Sequence, residues 1–313
     1  FFFFFFLFLV HTVRRMSLRG GDLKTQSLPP PPPPPPLVEQ DSASSSHASH
    51  ALLGHGLISG LIVAGLFNPW DRALYLSIRF RRNFLLAANF RAPFQGLYST
   101  IIGRTLSNGL YFPLLDIFQP IYERFEYLRD RPFLLAFFVG NSTGLLTGTL
   151  TNFINAVKYR SWGRDTSSFK STASRMWRTG GIRPFFNGIT ATVVRDMTFG
   201  GVFALSRQVL RQSFGDDDST SKSRHFVYDL SAAGLATIAS SPFNYCRNVK
   251  YWSPADEVAP SMMSLLSRLS KNARDSQHPV RYVVNRFLIG WGTLRVSLGM
   301  AATALFYESF KSL

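Results

Sequence analysis

From Ala51 to Trp70 the chain reads "ALLGHGLISGLIVAGLFNPW", without one charged side chain, and then meets Asp71, Arg72 and Arg79. About twenty apolar residues cross about 30 Å of hydrocarbon as a helix. Stretches of that length begin near residues 51, 97, 132, 189, 228 and 287. Their kinds alternate. The first, third and fifth open uncharged, as in "FLLAFFVGNSTGLLTGTLTNFINAV" and "LSAAGLATIASSPFNYC", whereas the second, fourth and sixth hold Arg104, Arg195 and Arg295 within the apolar run. The pattern predicts an all-α membrane protein with six transmembrane helices in three pairs.

The connections alternate too. Those after the odd helices carry the bases, among them Arg79, Arg81, Lys158, Arg160, Arg247 and Lys250; those after the even helices mix signs, as in "ERFEYLRDR" and "GDDDSTSKSRH". Positive charge gathered on one side marks that side as the non-translocated one. A period of about 100 residues reinforces the pairing. "FRAPFQGLYSTIIGR", "GIRPFFNGITATVVRD" and "NRFLIGWGTLRVS" each set an aromatic and a glycine just before a helix that soon reaches a polar position. The expected organisation is a tail over 1–50 and three repeats, 51–131, 132–225 and 226–313, in a pseudo-threefold bundle around a central cavity. Gly56 and Gly60, then Gly140, Gly144 and Gly148, recur at the four-residue spacing that lets membrane helices approach closely.

Composition adjusts this picture in three places. A net charge of +16 over 313 residues leaves nucleic acid, an anionic membrane surface and an anionic ligand open; with no surface of interleaved bases and aromatics, nucleic acid is not expected. The single cysteine, Cys246, excludes an internal disulfide framework, and the six histidines lack ligand spacing, so neither metal nor cofactor is expected. Paired catalytic carboxylates, a nucleophile motif and a phosphate loop are absent, so an enzyme is not expected. Mean hydropathy is only +0.05 because the first fifty residues dilute it. There "LPPPPPPPPLVEQDSASSSHASH" reads as a polyproline II linker and a disordered polar tail. "FFFFFFLFLV" is too short to span, and Met16 is the expected start of translation.

The helix ends resemble those of the mitochondrial carrier family, in which each odd helix closes on P-x-[DE]-x-x-[KR]. The copies here are Pro69-Trp70-Asp71-Arg72-Ala73-Leu74, Phe153-Ile154-Asn155-Ala156-Val157-Lys158 and Pro242-Phe243-Asn244-Tyr245-Cys246-Arg247. None is complete, and Leu74 stands where the first base belongs. The resemblance covers about residues 51 to 313. It implies a six-helix barrel of the inner mitochondrial membrane whose cavity opens alternately to either side. It further implies a matrix gate in which Asp71 faces Lys158, Asn155 faces Arg247 and Asn244 faces Leu74. The family's second motif, [FY]-[DE]-x-x-[KR], implies a cytoplasmic gate with Asp116 facing Arg211, Gln208 facing Lys311 and Glu308 facing Gln119. Both gates are thinned to a similar degree, which suits a cycle whose closed states differ by only a few kcal/mol.

Thirteen residues before Asp116, Gln208 and Glu308 stand Gly103, Arg195 and Arg295, which match the family's central contact points. Arg104, Asp196 and Val296 follow them. An arginine at mid-membrane calls for water or an acid, and its fork suits a carboxylate. The neighbouring Arg195 and Asp196 resemble the carriers of amino acids and carnitine: Asp196 would hold an ammonium and an arginine a carboxylate. Alternatively the pair neutralises itself and sets helix packing. In the sixth helix Gly290 lies nearer its arginine than in the other copies, which loosens the register of Arg295.

The expected function is secondary transport of a small metabolite, amino-acid-like or another carboxylate, by a monomer; the alternative is a carrier-fold structural or adaptor protein with the tail as docking arm. Basic loops beside helix starts suit cardiolipin, although topology alone also places such charges there.

Overall fold

The structure is a computed structural model that describes residues 42–80, 83–91, 93–94, 97–162, 168–214, 222–253 and 259–311. Twelve α-helices occur among them: α1 (Ser42–Arg79), α2 (Leu97–Gly109), α3 (Tyr111–Glu123), α4 (Glu126–Arg129), α5 (Pro132–Trp162), α6 (Phe169–Gly180), α7 (Arg183–Phe186), α8 (Ile189–Phe214), α9 (Lys222–Trp252), α10 (Met262–Arg274), α11 (Pro279–Phe287) and α12 (Trp291–Lys311). No strand occurs among the described residues. The polyproline segment, the phenylalanine run and Met16 lie outside them. Helix α1 begins at Ser42.

Three helices or helix pairs are long and apolar enough to cross a membrane: Leu52–Ser77, Pro132–Ser161 and Pro279–Lys311. The other three expected spans fall short for identifiable reasons. Helix α8 carries Arg195, Asp196, Arg207 and Arg211, and α9 carries Asp229, Arg247 and Lys250. The span from Leu97 is divided at Leu110 into α2 and α3. Hydrogen bonds from Leu110 N–H to Leu106 O and from Leu114 N–H to Leu110 O still bridge the junction. Pro113 cannot donate to the carbonyl of Gly109, as the helix would require. That carbonyl instead abuts α1, where a Cβ added to Gly56 would lie 2.0 Å from it.

Small residues set the closest approaches. The packing of α5 on α8 is the most extensive, and glycine makes it possible. A Cβ on Gly140 would lie 2.1 Å from the carbonyl oxygen of Gly200, and one on Gly144 would lie 2.0 Å from that of Asp196. Helix α8 also packs on α9, α9 on α12, and α2 and α3 on α5. Helix α12 meets α1 through Arg295, Gly299 and Trp291, and α1 meets α2 at Gly109. Each long helix thus has a neighbour on either side, and the sequence of neighbours returns to its start.

Between the long helices lie short amphipathic ones where the sequence indicated only basic loops. Ser168 caps α6 by accepting from Ser171 N–H at 3.2 Å, and Ser261 caps α10 by accepting from Ser264 N–H at the same distance. Each follows a 31-residue helix that ends in tryptophan, α5 or α9. Met176 of α6 is buried with Val157 and Tyr251, and Leu265 of α10 with Ala191 and Cys246. Glycine is required where the chain turns into the next long helix: Gly188 has φ +83°, Gly290 φ +120°, and Leu288 beside it takes φ 60°. That turn delays α12 to Trp291, four residues after the expected onset.

The glycine contacts give a direct test. Replacing Gly144 by Ala drives a methyl into the Asp196 backbone and is expected to cost about 1–3 kcal/mol in thermal unfolding of the detergent-solubilised protein. Gly54, with nothing within 4 Å of an added Cβ, should tolerate Ala neutrally or gain up to about 1 kcal/mol of helix propensity.

Candidate functional site

The seam between α1 and α12 builds the first part of the site. Trp70 of α1 and Trp291 of α12 meet edge to face at 6.1 Å, and Phe84 stacks on Trp291 at 5.1 Å. Asn68 donates to Pro93 O at 2.8 Å and Arg72 to Asn89 O at 3.2 Å, which ties the segment after α1 back onto it. One turn along α12 from Trp291 stands Arg295. Its Nη2 donates to Asp71 Oδ2 at 2.6 Å and its Nε lies 2.6 Å from Oδ1, with the two side chains only 2% and 6% exposed. The guanidinium also lies 5.2 Å over the ring of Phe67. The Nη2 hydrogen bond is charge-assisted, and the Nε contact adds a second close approach of the two charges.

A second pair stands on α8. Arg195 donates to the carboxylate of the next residue, Asp196, and its guanidinium lies 5.2 Å over Phe199. Across from it, Arg247 donates to Asn244 Oδ1 at 2.6 Å on its own helix and lies 3.5 Å from the Tyr159 hydroxyl. Asn155 donates to Thr151 Oγ1 at 3.5 Å.

These groups enclose one cavity of about 180 Å³. Gly103, Arg195, Asp196 and Arg295 line it, together with Asp71, Leu74, Asn155, Lys158, Asn244 and Arg247 from the ends of α1, α5 and α9. Hydroxyls from Ser107, Thr147, Thr151, Thr237, Ser240 and Ser241 complete the polar wall. The expected contact points and the expected gate residues of the odd helices therefore share one chamber. Arg295 belongs to it despite the unusual position of Gly290. The side chain of Arg104 lies outside the described residues.

Toward the far ends of α3 and α12 the chamber closes on aromatic rings. Tyr111 and Phe199 line its floor, and Phe112, Phe203 and Tyr307 pack beneath them with small residues of α9. Below this layer Asp116 Oδ2 accepts from the Tyr307 hydroxyl and from Lys311 Nζ, both at 2.8 Å. Tyr307 and Lys311 are one turn apart on α12, so both reach one oxygen. The resemblance implied Arg211 as the partner of Asp116. Gln119 donates to Glu123 of its own helix at 2.9 Å, where Glu308 was the implied partner. Asp71 accepts from Arg295, with Lys158 lining the same chamber, and Asn244 accepts from Arg247.

Two features had no forecast in the sequence. Arg207 of α8 lies 2.6 Å from Asp229 of α9, a carboxylate 4% exposed. Thr192 and Tyr251 both reach Asn152 Oδ1, at 2.9 and 2.8 Å, while Thr192 and Tyr251 hydroxyls stand 2.8 Å apart and Asn152 Nδ2 donates to Phe185 O at 3.0 Å. This buried network joins α5, α8 and α9 with uncharged residues of ordinary type. Only its spacing, about one repeat from Asn152 to Tyr251, carried a signal.

Comparison with known proteins bears on the same helices. Residues 129–218, which contain α5 to α8, match the family described as mitochondrial carrier protein. The mitochondrial glycine transporter of Eremothecium gossypii is 26% identical over 179 residues, 49% of this chain and 61% of that protein. This segment of the chain is similar to the mitochondrial carrier family. The mitochondrial glycine transporter of Kluyveromyces lactis is 26% identical over 176 residues, 50% of this chain and 58% of its own length, and that of Emericella nidulans 33% identical over 93 residues, 28% of each. The chain thus spans about three-fifths of the length of the first two relatives.

The two ion pairs that involve α12 differ in burial, and their loss should differ accordingly. Arg295→Gln removes a charged partner of a buried carboxylate and is expected to cost about 3–5 kcal/mol of unfolding stability, most of it recovered in Asp71→Asn/Arg295→Gln. Lys311 and Asp116 are 45% and 32% exposed, so Lys311→Gln should cost under about 1 kcal/mol in the same melts.

Proposed function

We propose that this chain is a mitochondrial carrier, a secondary transporter of the inner mitochondrial membrane that moves a small amino-acid-like or other carboxylate metabolite by alternating access. The observation that carries the reading is the single chamber on which Arg195, Asp196, Arg295 and Asp71 converge. With Lys158 and Arg247 it offers four cationic side chains and two carboxylates to a solute of a few heavy atoms. The relatives named as glycine transporters favour the amino-acid end of that range.

In this reading six membrane-crossing helices, α1, α2 with α3, α5, α8, α9 and α12, form three repeats around the chamber, with boundaries near 131/132 and 225/226. The circuit of helix neighbours and the recurrence of a 31-residue helix followed by a serine-capped amphipathic helix support it. The conformation is one end of the cycle. The even-helix ends are held by Asp116, Tyr307 and Lys311 beneath an aromatic floor, while Asn155, Lys158, Asn244 and Arg247 of the odd-helix ends face the chamber. In the opposite state the odd-helix residues would pair across the matrix mouth and the Asp116 latch would part. Gln208, Arg211 and Glu308 belong to that latch region, Pro69 and Pro242 to the odd-helix bends. The protein works as a monomer, with cardiolipin phosphates at the basic matrix side.

Full-length protein in liposomes, supplied with labelled glycine, malonate and ATP in turn, tests the reading. Saturable uptake of glycine is the expected result. Lack of uptake of all three by protein fully inserted in the vesicles would reject transport.

A further inference from the structure

Three arginines of the bundle have an acid in contact: Arg195 donates to Asp196, Arg207 lies 2.6 Å from Asp229, and Arg295 donates to Asp71. Among the described residues Arg247 has none. It is 8% exposed, and both its hydrogen bonds leave from Nη2, to Asn244 Oδ1 at 2.6 Å and to the Tyr159 hydroxyl at 3.5 Å. Its Nε is buried without an acceptor, and the guanidinium carbon lies 5.8 Å over the ring of Tyr159.

These neutral partners leave the charge unanswered. Amide and hydroxyl oxygens supply dipoles rather than a counter-charge, and a guanidinium, unlike a buried lysine, does not shed its proton. The acid that acts on Arg247 from further off, Asp196, already accepts from Arg195. The chamber as a whole is tilted the same way, since Lys158, Arg195, Arg247 and Arg295 stand against Asp71 and Asp196 in its described lining. The tilt begins in the sequence. Asn155 and Asn244 occupy acid positions of the helix-end motif, while Arg247 keeps a base position.

We propose that Arg247 anchors a site for one small inorganic monoanion, with chloride as its simplest occupant, separate from the Arg195–Asp196 and Arg295–Asp71 pairs. Charge is weakly screened inside the bundle, so a counter-ion there is held more firmly than in water. A zwitterionic solute carries no net charge and leaves the surplus as it was, so solute and anion are bound together rather than in turn. The hydroxyls beside Arg247 on the chamber wall do not share the task. Thr237, Ser240 and Ser241 give their protons to carbonyls of α9 and turn lone pairs to the chamber. The anion therefore depends on one guanidinium, and the site exists whether or not the chain transports anything.

The test is thermal unfolding of the purified full chain while chloride replaces the bulky anion gluconate at constant ionic strength, which holds screening fixed. Chloride is expected to raise Tm saturably by binding the folded state. Arg247→Gln should weaken the apparent chloride affinity by about tenfold or more. Asn244→Asp places a carboxylate where the amide oxygen now meets Arg247, and it should abolish the chloride shift while raising Tm in gluconate. This second variant keeps the guanidinium and decides the matter if Arg247→Gln fails to fold. Lys271→Gln, on exposed surface of α10, should keep the full shift. Identical melts in chloride and gluconate would overturn the site, as would a full chloride shift that survives in either Arg247→Gln or Asn244→Asp. In liposomes, competition of chloride with labelled glycine would show that the solute itself occupies Arg247, which overturns a separate anion site and leaves transport standing. Absence of any uptake, with the chloride shift and its loss in both variants intact, rejects transport and supports the site.

Discussion

A guanidinium inside an apolar helix bundle needs acceptors or water, and the arrangement of this chain follows from how three arginines meet that demand with an acid. Arg295 is answered by Asp71 across the first and last helices, Arg195 by its own neighbour Asp196, and Arg207 by Asp229 across α8 and α9. The cross-helix pairs fix rotation about the helix axes, because each long side chain reaches its acid from one face only. With those rotations set, the hydroxyl-bearing faces of α2, α5 and α9 turn toward a common space and the leucine and phenylalanine faces turn outward. Ile58, Leu66, Leu145, Phe153 and Leu235 are among the exposed apolar residues, as expected of a surface that meets lipid.

The helix onsets at Leu97, Pro132 and Ile189 were legible because each follows a break that has its own chemistry: Gly96, the charged run before Pro132, and Gly188. The glycine spacings were legible as close packing and are filled by backbone of the facing helix. The identity of the partners was not. Spacing along one helix says which side chains share a face, but not how far the next helix is rotated or slid. Thus Asp71 and Asp116 could be recognised as charges needing partners, while the choice of Arg295, Tyr307 and Lys311 depended on the set of α12. Arg207 stood at the aromatic position of a degenerate motif, and nothing local pointed to Asp229. The contact of Asn152, Thr192 and Tyr251 was hidden because uncharged polar residues carry little pattern until their neighbours are known.

The two ends of the chamber are built from different materials. The floor is a stack of rings in which Phe199 and Phe203 lie parallel at 6.0 Å and Phe112 stacks on Tyr307 at 5.9 Å. Below it, the ionic part of the Asp116 contact is exposed and screened by salt, whereas the Tyr307 hydroxyl on the same oxygen is neutral and nearly enclosed. The odd-helix end is lined by amide and charged side chains together with Tyr75, Tyr159 and Phe287.

The glycine contact of α5 with α8 has a mechanical consequence. Carbonyl oxygens there sit where a methyl would otherwise be, at Gly140 against Gly200 and Gly144 against Asp196. Surfaces meshed at backbone level cannot slide past one another by repacking side chains, since there are none to repack. Any change of shape in the bundle must therefore carry α5 and α8 as one stiff beam, with Asp196 riding on it, and bending is left to seams whose side chains have somewhere to go.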